Sequence, residues 1–339
     1  MLRRRWRPSV FTFTCRGPRL WALLIAALPG PARPASPEPI PWQDAAPLAV
    51  PFLQLPFESP ETLAPGEART ALRLVYSNSI ARAQSVDVTV DYQVETAQPI
   101  ASLRLGLGHG LELHLEASAL FEYGGVLNPA IRRVESWLGT ENKLRRHPLP
   151  ATSHFRILRP DGRGTSIDGS DAGVGDPWLG VKGRLREQDG PLPALAWRAA
   201  LKLPAGRFPY GSGVLEEGGG LLGRWQLGGT SVALAADLMV PDGTVSPARL
   251  RTRPHPAFQV ALGQELGPRF ALLLQGSTHG SALQYIHMSE VDGWTFYVLV
   301  GLRAQASEHL SVGFALVENL VVTERGTDIA ALLDLGWRF

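Results

Sequence analysis

Along most of this chain apolar side chains recur at every second position, in runs of roughly ten residues, and the connections between runs are alternately tight and long. Leu111, Leu113, Leu115, Ala117, Ala119 and Phe121 alternate with Glu112, His114, Glu116 and Ser118; Leu195, Trp197, Ala199, Leu201 and Leu203 alternate with Arg198 and Lys202. A period of two places successive side chains on opposite faces, so these are strands with one apolar and one polar face. Tight connections at 108–110, 188–192, 228–230, 267–268 and 307–309 alternate with long ones at 79–85, 123–173, 205–216, 241–254, 279–291 and 319–326. Between them lie twelve runs, at 70–78, 86–107, 111–122, 174–187, 193–204, 217–227, 231–240, 255–266, 269–278, 292–306, 310–318 and 327–339.

Tight turns on one rim, long loops on the other and an even strand number predict an all-β fold, a transmembrane antiparallel up-and-down β-barrel of about 12 strands. Residues 86–107 strain this count. Val86, Val88, Val90, Tyr92 and Val94 are apolar at even positions, whereas Leu103, Leu105 and Leu107 are apolar at odd ones, so a bulge or break near Pro99 is expected to shift the phase.

Energy sets the register. Lys182, Arg184 and Arg186 share a face opposite Leu179, Val181 and Leu185, and turning cations to lipid near the midplane costs about 2 to 4 kcal/mol each. The charged faces therefore point inward, and Glu112, His114, Glu116, Lys182, Arg184, Arg186, Arg198 and Lys202 are the candidate lumen-lining residues. Asp87, Asp91 and Glu95 join the acidic side of this set. Acids on the second and third strands facing bases on the fourth and fifth would orient polar solutes across a pore, or would form a ladder of interior ion pairs that holds the barrel rigid.

On the last strand Ile329, Ala331, Leu333, Leu335, Trp337 and Phe339 face outward. The pair Trp337 and Phe339 resembles the C-terminal signature read by the barrel-assembly machinery. Trp294 and Phe296 suit an aromatic girdle at the opposite rim.

Upstream, a basic stretch, the apolar run LWALLIAALP at 20–29 and the small residues Gly30-Pro31-Ala32 have the layout of a secretory signal over residues 1–32. The run is too short for a spanning helix, which needs about 20 residues. Cys15, the only cysteine, precedes it, so no disulfide, lipid-attachment or metal-binding thiol is expected beyond it. Residues 33–68 are proline-rich without either regular period and read as an extended periplasmic tail, plugging the periplasmic mouth or hanging free; 69–339 form the barrel.

A net charge of +2 implies no nucleic-acid partner. Expected partners are outer-membrane lipid and lipopolysaccharide, the barrel-assembly machinery and a small-molecule solute. No cofactor is expected. Asp168, Asp171 and Asp176 offer oxygen ligands, but their spacing fits no EF-hand loop and turn formation explains them equally. In the loop from 123 to 173, Asn128, Pro129 and the stripe Ile131, Val134, Trp137 and Leu138, ended by Gly139, predict a short helix in an extracellular loop, acting as a lid or packing on the rim. The following NKLRRH at 142–147 faces anionic headgroups or solvent. His279 and Ser281 loosely resemble the His-x-Ser pair of outer-membrane phospholipase, but Ala282 and Leu283 follow where that family has Asn-Gly, and no group orients the base. No catalytic residue is expected.

The stretches VLNPAIRRVESWLG (126–139), GVGDPWLGVKGRL (173–185), AALKLPAG (199–206) and DLGWRF (334–339) together resemble the bacterial family catalogued as domain of unknown function 3187, over roughly residues 45–339. The Gly-x-Gly-Asp element and the Leu-Lys-Leu-Pro strand end are also similar to outer-membrane families associated with aromatic-hydrocarbon degradation and proposed to be transporters. The resemblance implies a barrel in the bacterial outer membrane, and transport only weakly. The expected function is a passive channel or uptake route for small solutes, apolar ones included. A closed structural or interaction barrel is the alternative, and an esterase or phospholipase-like enzyme the second.

Overall fold

The computed structural model describes residues 37–125, 129, 133, 136, 152–284, 286–320 and 326–339. Its strands are β1 (Ala68–Gln84), β2 (Thr89–Gly108), β3 (Leu111–Tyr123), β4 (His154–Leu158), β5 (Gly164–Asp168), β6 (Asp171–Val174), β7 (Trp178–Arg186), β8 (Ala194–Lys202), β9 (Glu216–Leu227), β10 (Thr230–Pro241), β11 (Thr244–Val245), β12 (Leu250–Arg251), β13 (His255–Glu265), β14 (Phe270–His279), β15 (Thr295–Gln305), β16 (Leu310–Asn319) and β17 (Ile329–Arg338); one helical turn, α1, spans Ser289–Asp292.

Twelve of these strands form a closed antiparallel barrel, each paired with its neighbour in the order β1, β2, β3, β7, β8, β9, β10, β13, β14, β15, β16, β17. Closure comes from β17 pairing back onto β1, from Arg69↔Arg338 to Asn78↔Ile329. No barrel strand is left with an unpaired edge, the condition for crossing hydrocarbon as a sheet. At the long-loop rim the hairpin β4–β5 adds onto β2, β6 extends the β3 ladder beyond β7, and β11 and β12 make a two-residue ribbon. The expected loop helix falls within 126–147, nearly all of which lies outside the described residues.

The exterior is apolar all round. Leu72, Leu115, Leu179, Leu201, Leu221, Leu234, Val260, Leu272, Val300, Phe314 and Leu333 are exposed on eleven successive strands. A water-soluble monomer does not carry a continuous apolar belt of this extent, so the belt is a lipid-facing surface. Phe258 stacks on Trp294, with Phe296 also exposed, at the long-loop end; Trp337 and Phe339 touch at the other. Aromatic rings at both ends of the belt suit the two membrane interfaces.

No bulge occurs at Pro99. The β1–β2 register is constant from Ala68↔Leu105 to Gln84↔Thr89, and Pro99 only interrupts the β2–β3 ladder between Ala97↔Phe121 and Ile100↔Ser118. Even residues of β2 point inward along its whole length, and the environment changes rather than the phase. At the long-loop end the interior is an apolar dome in which Val88, Val90, Tyr92, Phe155, Ile157, Phe208, Val245, Leu250, Leu283 and Ile286 pack together. Lower down the interior is polar. Asp87, Asp91 and Glu95 consequently lie on the face of β2 opposite the lumen: Asp87 pairs with His287, Asp91 with Arg82 and His154, and Glu95 with Tyr76.

The largest departure from expectation is the proline-rich stretch. Residues 37–63 run inside the barrel as an inverted U, rising from the short-turn rim to the dome and descending again to enter β1. On the way up the Pro37 carbonyl accepts from Ser231, and both the N–H and the carbonyl of Ile40 pair with the Gln275 amide. Asp44 caps the turn at 46–52, and Leu48 and Phe52 join the dome. On the way down Leu53 N–H donates to Glu216, the Leu55 carbonyl accepts from Gln259, and Leu63 N–H donates to Glu112. The two arms are tied by Gln43 and Gln54.

The sequence explains how irregular backbone tolerates such burial. Seven prolines at 37, 39, 41, 47, 51, 56 and 60 remove donors that would otherwise need partners and restrict the unfolded segment. Ile40 and Trp42 pack with Val75, Leu273, Tyr297 and Leu299; Phe57 packs with Ala196, Leu222 and Ala233.

Candidate functional site

The lumen and the segment that fills it form the site. Inward positions of the barrel strands supply its charges. Around the two arms of the segment, Arg69, Arg73, Arg104, Lys182, Arg198, Arg224 and Arg303 project inward with Glu112, Glu116, Asp237 and Asp334, seven cations against four carboxylates among the described residues, apart from the cluster of Lys202 with Asp176 and Glu216 and from Glu122 at the long-loop end. Some of these cations are paired within the wall: Arg198 grips Asp237 with two bonds of 2.8 and 2.7 Å, Arg303 lies 3.4 Å from Asp334, and Arg73 pairs with Glu116.

The remaining charge is met by the inner segment. Glu58 lies 3.0 Å from Arg104, 3.1 Å from Lys182 and 3.3 Å from Arg198. Glu38 bridges Arg69 at 3.2 Å and Arg303 at 3.4 Å, and Glu61 meets Arg224 at 3.2 Å. Three carboxylates of the segment thus balance the wall excess of three. Backbone carbonyls complete the coordination: Arg198 donates to Pro56, Lys182 to Ser59 and Arg303 to Pro39. A buried charge is tolerated only when its donors are satisfied in this way.

At the apex Asp44 accepts from the Tyr297 hydroxyl at 2.6 Å, the Thr327 hydroxyl at 2.8 Å, the Ala46 amide at 3.0 Å and the Thr327 amide at 3.2 Å, with His279 Nε2 at 3.1 Å. Burial pushes the Asp44 carboxyl up, but these donors, His279 foremost, hold it down at about 2. It is ionised at neutral pH.

Of the candidates named from sequence, Glu112, His114, Glu116, Lys182, Arg198 and Lys202 are buried inside, against the inner segment or one another rather than along an open bore. Arg184 and Arg186 are not lumen residues. The β7–β8 register shifts between them at the short-turn rim, where the half-exposed Arg184 pairs with Glu187 and Arg186 donates to the Pro193 carbonyl. Alternation alone could not reveal that the strand reaches its turn there.

Lys202 belongs to a separate knot with Asp176, Glu216 and Ser212, and Asp176 also accepts from the amides of Ala205, Gly206 and Ser212. These bonds occupy both Asp176 oxygens. No cluster of three or more metal-ligating His, Cys, Asp or Glu side chains occurs among the described residues. Both ring nitrogens of His279 are engaged, by Asp44 and the Gly280 carbonyl, and Ser281 is fully buried with its hydroxyl accepting from Leu283 N–H. Sequence reasoning missed Glu38, Asp44, Glu58 and Glu61. Their signal was the large apolar side chains set among the prolines, Ile40, Trp42, Leu48, Phe52 and Phe57, which a solvated tail would not carry.

A closed twelve-stranded antiparallel sheet, apolar outside and charged inside, defines a membrane-spanning β-barrel, here with its lumen filled by the segment preceding β1. The chain belongs to the family described as protein of unknown function DUF3187, whose profile matches residues 20–339. No curated protein matches it. Among solved structures it is similar to the COG4313 outer membrane channel from Pseudomonas putida F1, with a TM-score of 0.54 and 15% identity over 82% of this chain and 97% of that one. The NanC porin aligns over 79% of this chain and 97% of its own, with a TM-score of 0.45 and 8% identity. The first of these likenesses establishes the fold.

Proposed function

We propose that this protein is an outer-membrane channel for small polar solutes whose lumen is closed, in the state seen here, by its own residues 37–63. The short-turn rim then faces the periplasm and the long-loop rim the exterior. One observation carries the reading: the inner segment pairs with no strand, so it can leave without breaking a bond of the barrel ladder. A structural barrel would gain rigidity more simply from wall side chains that satisfy one another; here the wall is left with an excess of charge that only the segment meets. The charged wall favours a polar solute over an apolar one. In the same reading outer-membrane lipid covers the apolar belt, lipopolysaccharide surrounds the outer leaflet end, and Trp337 and Phe339 are what the assembly machinery reads.

The test is a reversible lock. Leu53 Cδ2 lies 2.8 Å from the position a Cβ on Gly218 would take, so the two positions meet across the boundary of segment and wall, and the pair Leu53→Cys and Gly218→Cys, oxidised to a disulfide or joined by a short cleavable dithiol reagent, ties the one to the other. In planar bilayers the oxidised pair is expected to be silent and the reduced pair to show conductance steps like those of the unmodified chain. Silence in both states and in the unmodified chain, from inserted and folded protein, would leave the closed structural barrel as the better reading.

A further inference from the structure

The charge balance also points to what the channel carries, an inference that rests on the channel reading above. We infer that the inner segment mimics its solute, and that the solute is a small organic anion bearing carboxylate groups. When residues 37–63 leave, the part of the wall that faced their arms keeps its excess of three cations and attracts anions. The places vacated are specific. Glu58 sits among Arg104, Lys182 and Arg198, Glu38 between Arg69 and Arg303, and Glu61 beside Arg224.

The Glu58 position is the most fully built to take a carboxylate, with two guanidinium groups and an ammonium converging on it; two guanidinium groups meet at Glu38 and one at Glu61, and Arg bonds planar anions with geometric selectivity. A ladder of cationic sites along a bore passes anions from one to the next and opposes cations. The short-turn rim extends the ladder. A cavity of about 220 Å³ there is lined by Arg69, Arg104, Arg303 and Arg338 with Glu38 and Glu61. Arg303 is buried, and its Nε has no hydrogen-bond partner among the described residues. That donor becomes available to a carboxylate once the arm carrying Glu38 and Pro39 moves aside. The two carboxylates at Glu38 and Glu58 reach the wall from different arms of the U, so a solute displaces them one arm at a time.

The experiment records the full chain in planar bilayers under a potassium chloride gradient, with succinate or inorganic phosphate added, alongside entry of a neutral small sugar into liposomes. The reversal potential is expected to favour chloride over potassium by about threefold or more, as cation-lined pores do, and succinate is expected to block the steps at lower concentration than phosphate. Sugar entry and open steps without anion preference would overturn this inference and leave the channel reading standing; no sugar entry and no steps would overturn both. Phosphate block without succinate block would overturn the carboxylate assignment. A second measurement uses the triple variant Glu38→Gln, Glu58→Gln and Glu61→Gln, whose wall excess is uncovered with the segment still present. Succinate is expected to raise its unfolding midpoint more than chloride at equal ionic strength, and equal effects would count against the proposal.

Discussion

Asp44 shows how much one side chain can hold in place. It is the only carboxylate of the described inner segment that meets no arginine or lysine wall partner, and it instead gathers Tyr297, Thr327, His279 and its own turn at the apex of the U. Asp44→Ala removes the acceptor shared by the buried Tyr297 and Thr327 donors, at a cost of roughly 1 to 3 kcal/mol for each hydrogen bond that is not replaced. Divided between closed and open states, a loss of about 3 kcal/mol corresponds to an open fraction about a hundredfold higher. Bilayer recordings should show it, and Asp44→Asn, which keeps an acceptor oxygen, should restore most of the closed time; an open fraction equal to that of the unmodified chain would mean that the apex is not an anchor. At this scale the sequence was legible wherever a residue's role followed from the face it occupies. Lys182 and Arg198 point inward because their strand neighbours must meet lipid. Arg184, two residues from Lys182, escapes the rule because it stands at the rim, and distance from the membrane plane is not written in a period of two.

The same distinction governs whole elements. β2 was the one strand whose hydrophobic pattern contradicted its own continuity, and the contradiction disappears once its two halves are seen to border different media. Near the tight turn its outward face meets lipid and its inward face meets charge; at the far end its outward face holds paired polar side chains, Asp91 and Glu95, and its inward face meets the dome. A single uninterrupted register then requires apolar residues to change sides. Val90→Asp is therefore expected to destabilise the barrel by about 3 kcal/mol or more, because it buries a charge among apolar side chains. Asp91→Val, one residue along, removes ion pairs with Arg82 and His154 at the surface of the same strand and should change stability by about 1 kcal/mol or less. Urea midpoints of the heat-modifiable band compare the two, and a larger effect at 91 than at 90 would restore the bulge. The segment 37–63 was harder to read for a different reason. Strands advertise themselves through periodicity, whereas an irregular segment inside a barrel is specified by complementarity to a wall built from residues 69–338, and no local pattern encodes that match.

For the molecule as a whole, two structures share one volume: a barrel whose strand ladder closes on itself, and an inner segment held by side chains and carbonyls. The ladder makes no use of the segment, while the segment depends on the ladder for every one of its wall contacts. Their stabilities should accordingly differ, with the segment opening below the free energy of global unfolding. Its prolines oppose release rather than promote it, since a chain with few conformations to regain is driven out less strongly, and the segment redocks readily. Thiol labelling reads the difference directly, because the only cysteine of the sequence lies at position 15, in the stretch read as a removable signal. Leu48→Cys reports on the apex of the segment and Leu299→Cys on the wall, both buried. In increasing urea, Leu48→Cys should react while the β-sheet circular dichroism is still native, and Leu299→Cys only as that signal falls. Adding a carboxylate that competes with Glu38 and Glu58 for the wall should hasten the first reaction and leave the second unchanged, since it exchanges one partner of the barrel for another without touching the sheet. Coincident labelling at both positions would mean that segment and barrel are one cooperative unit, and a lumen closed in that way conducts nothing.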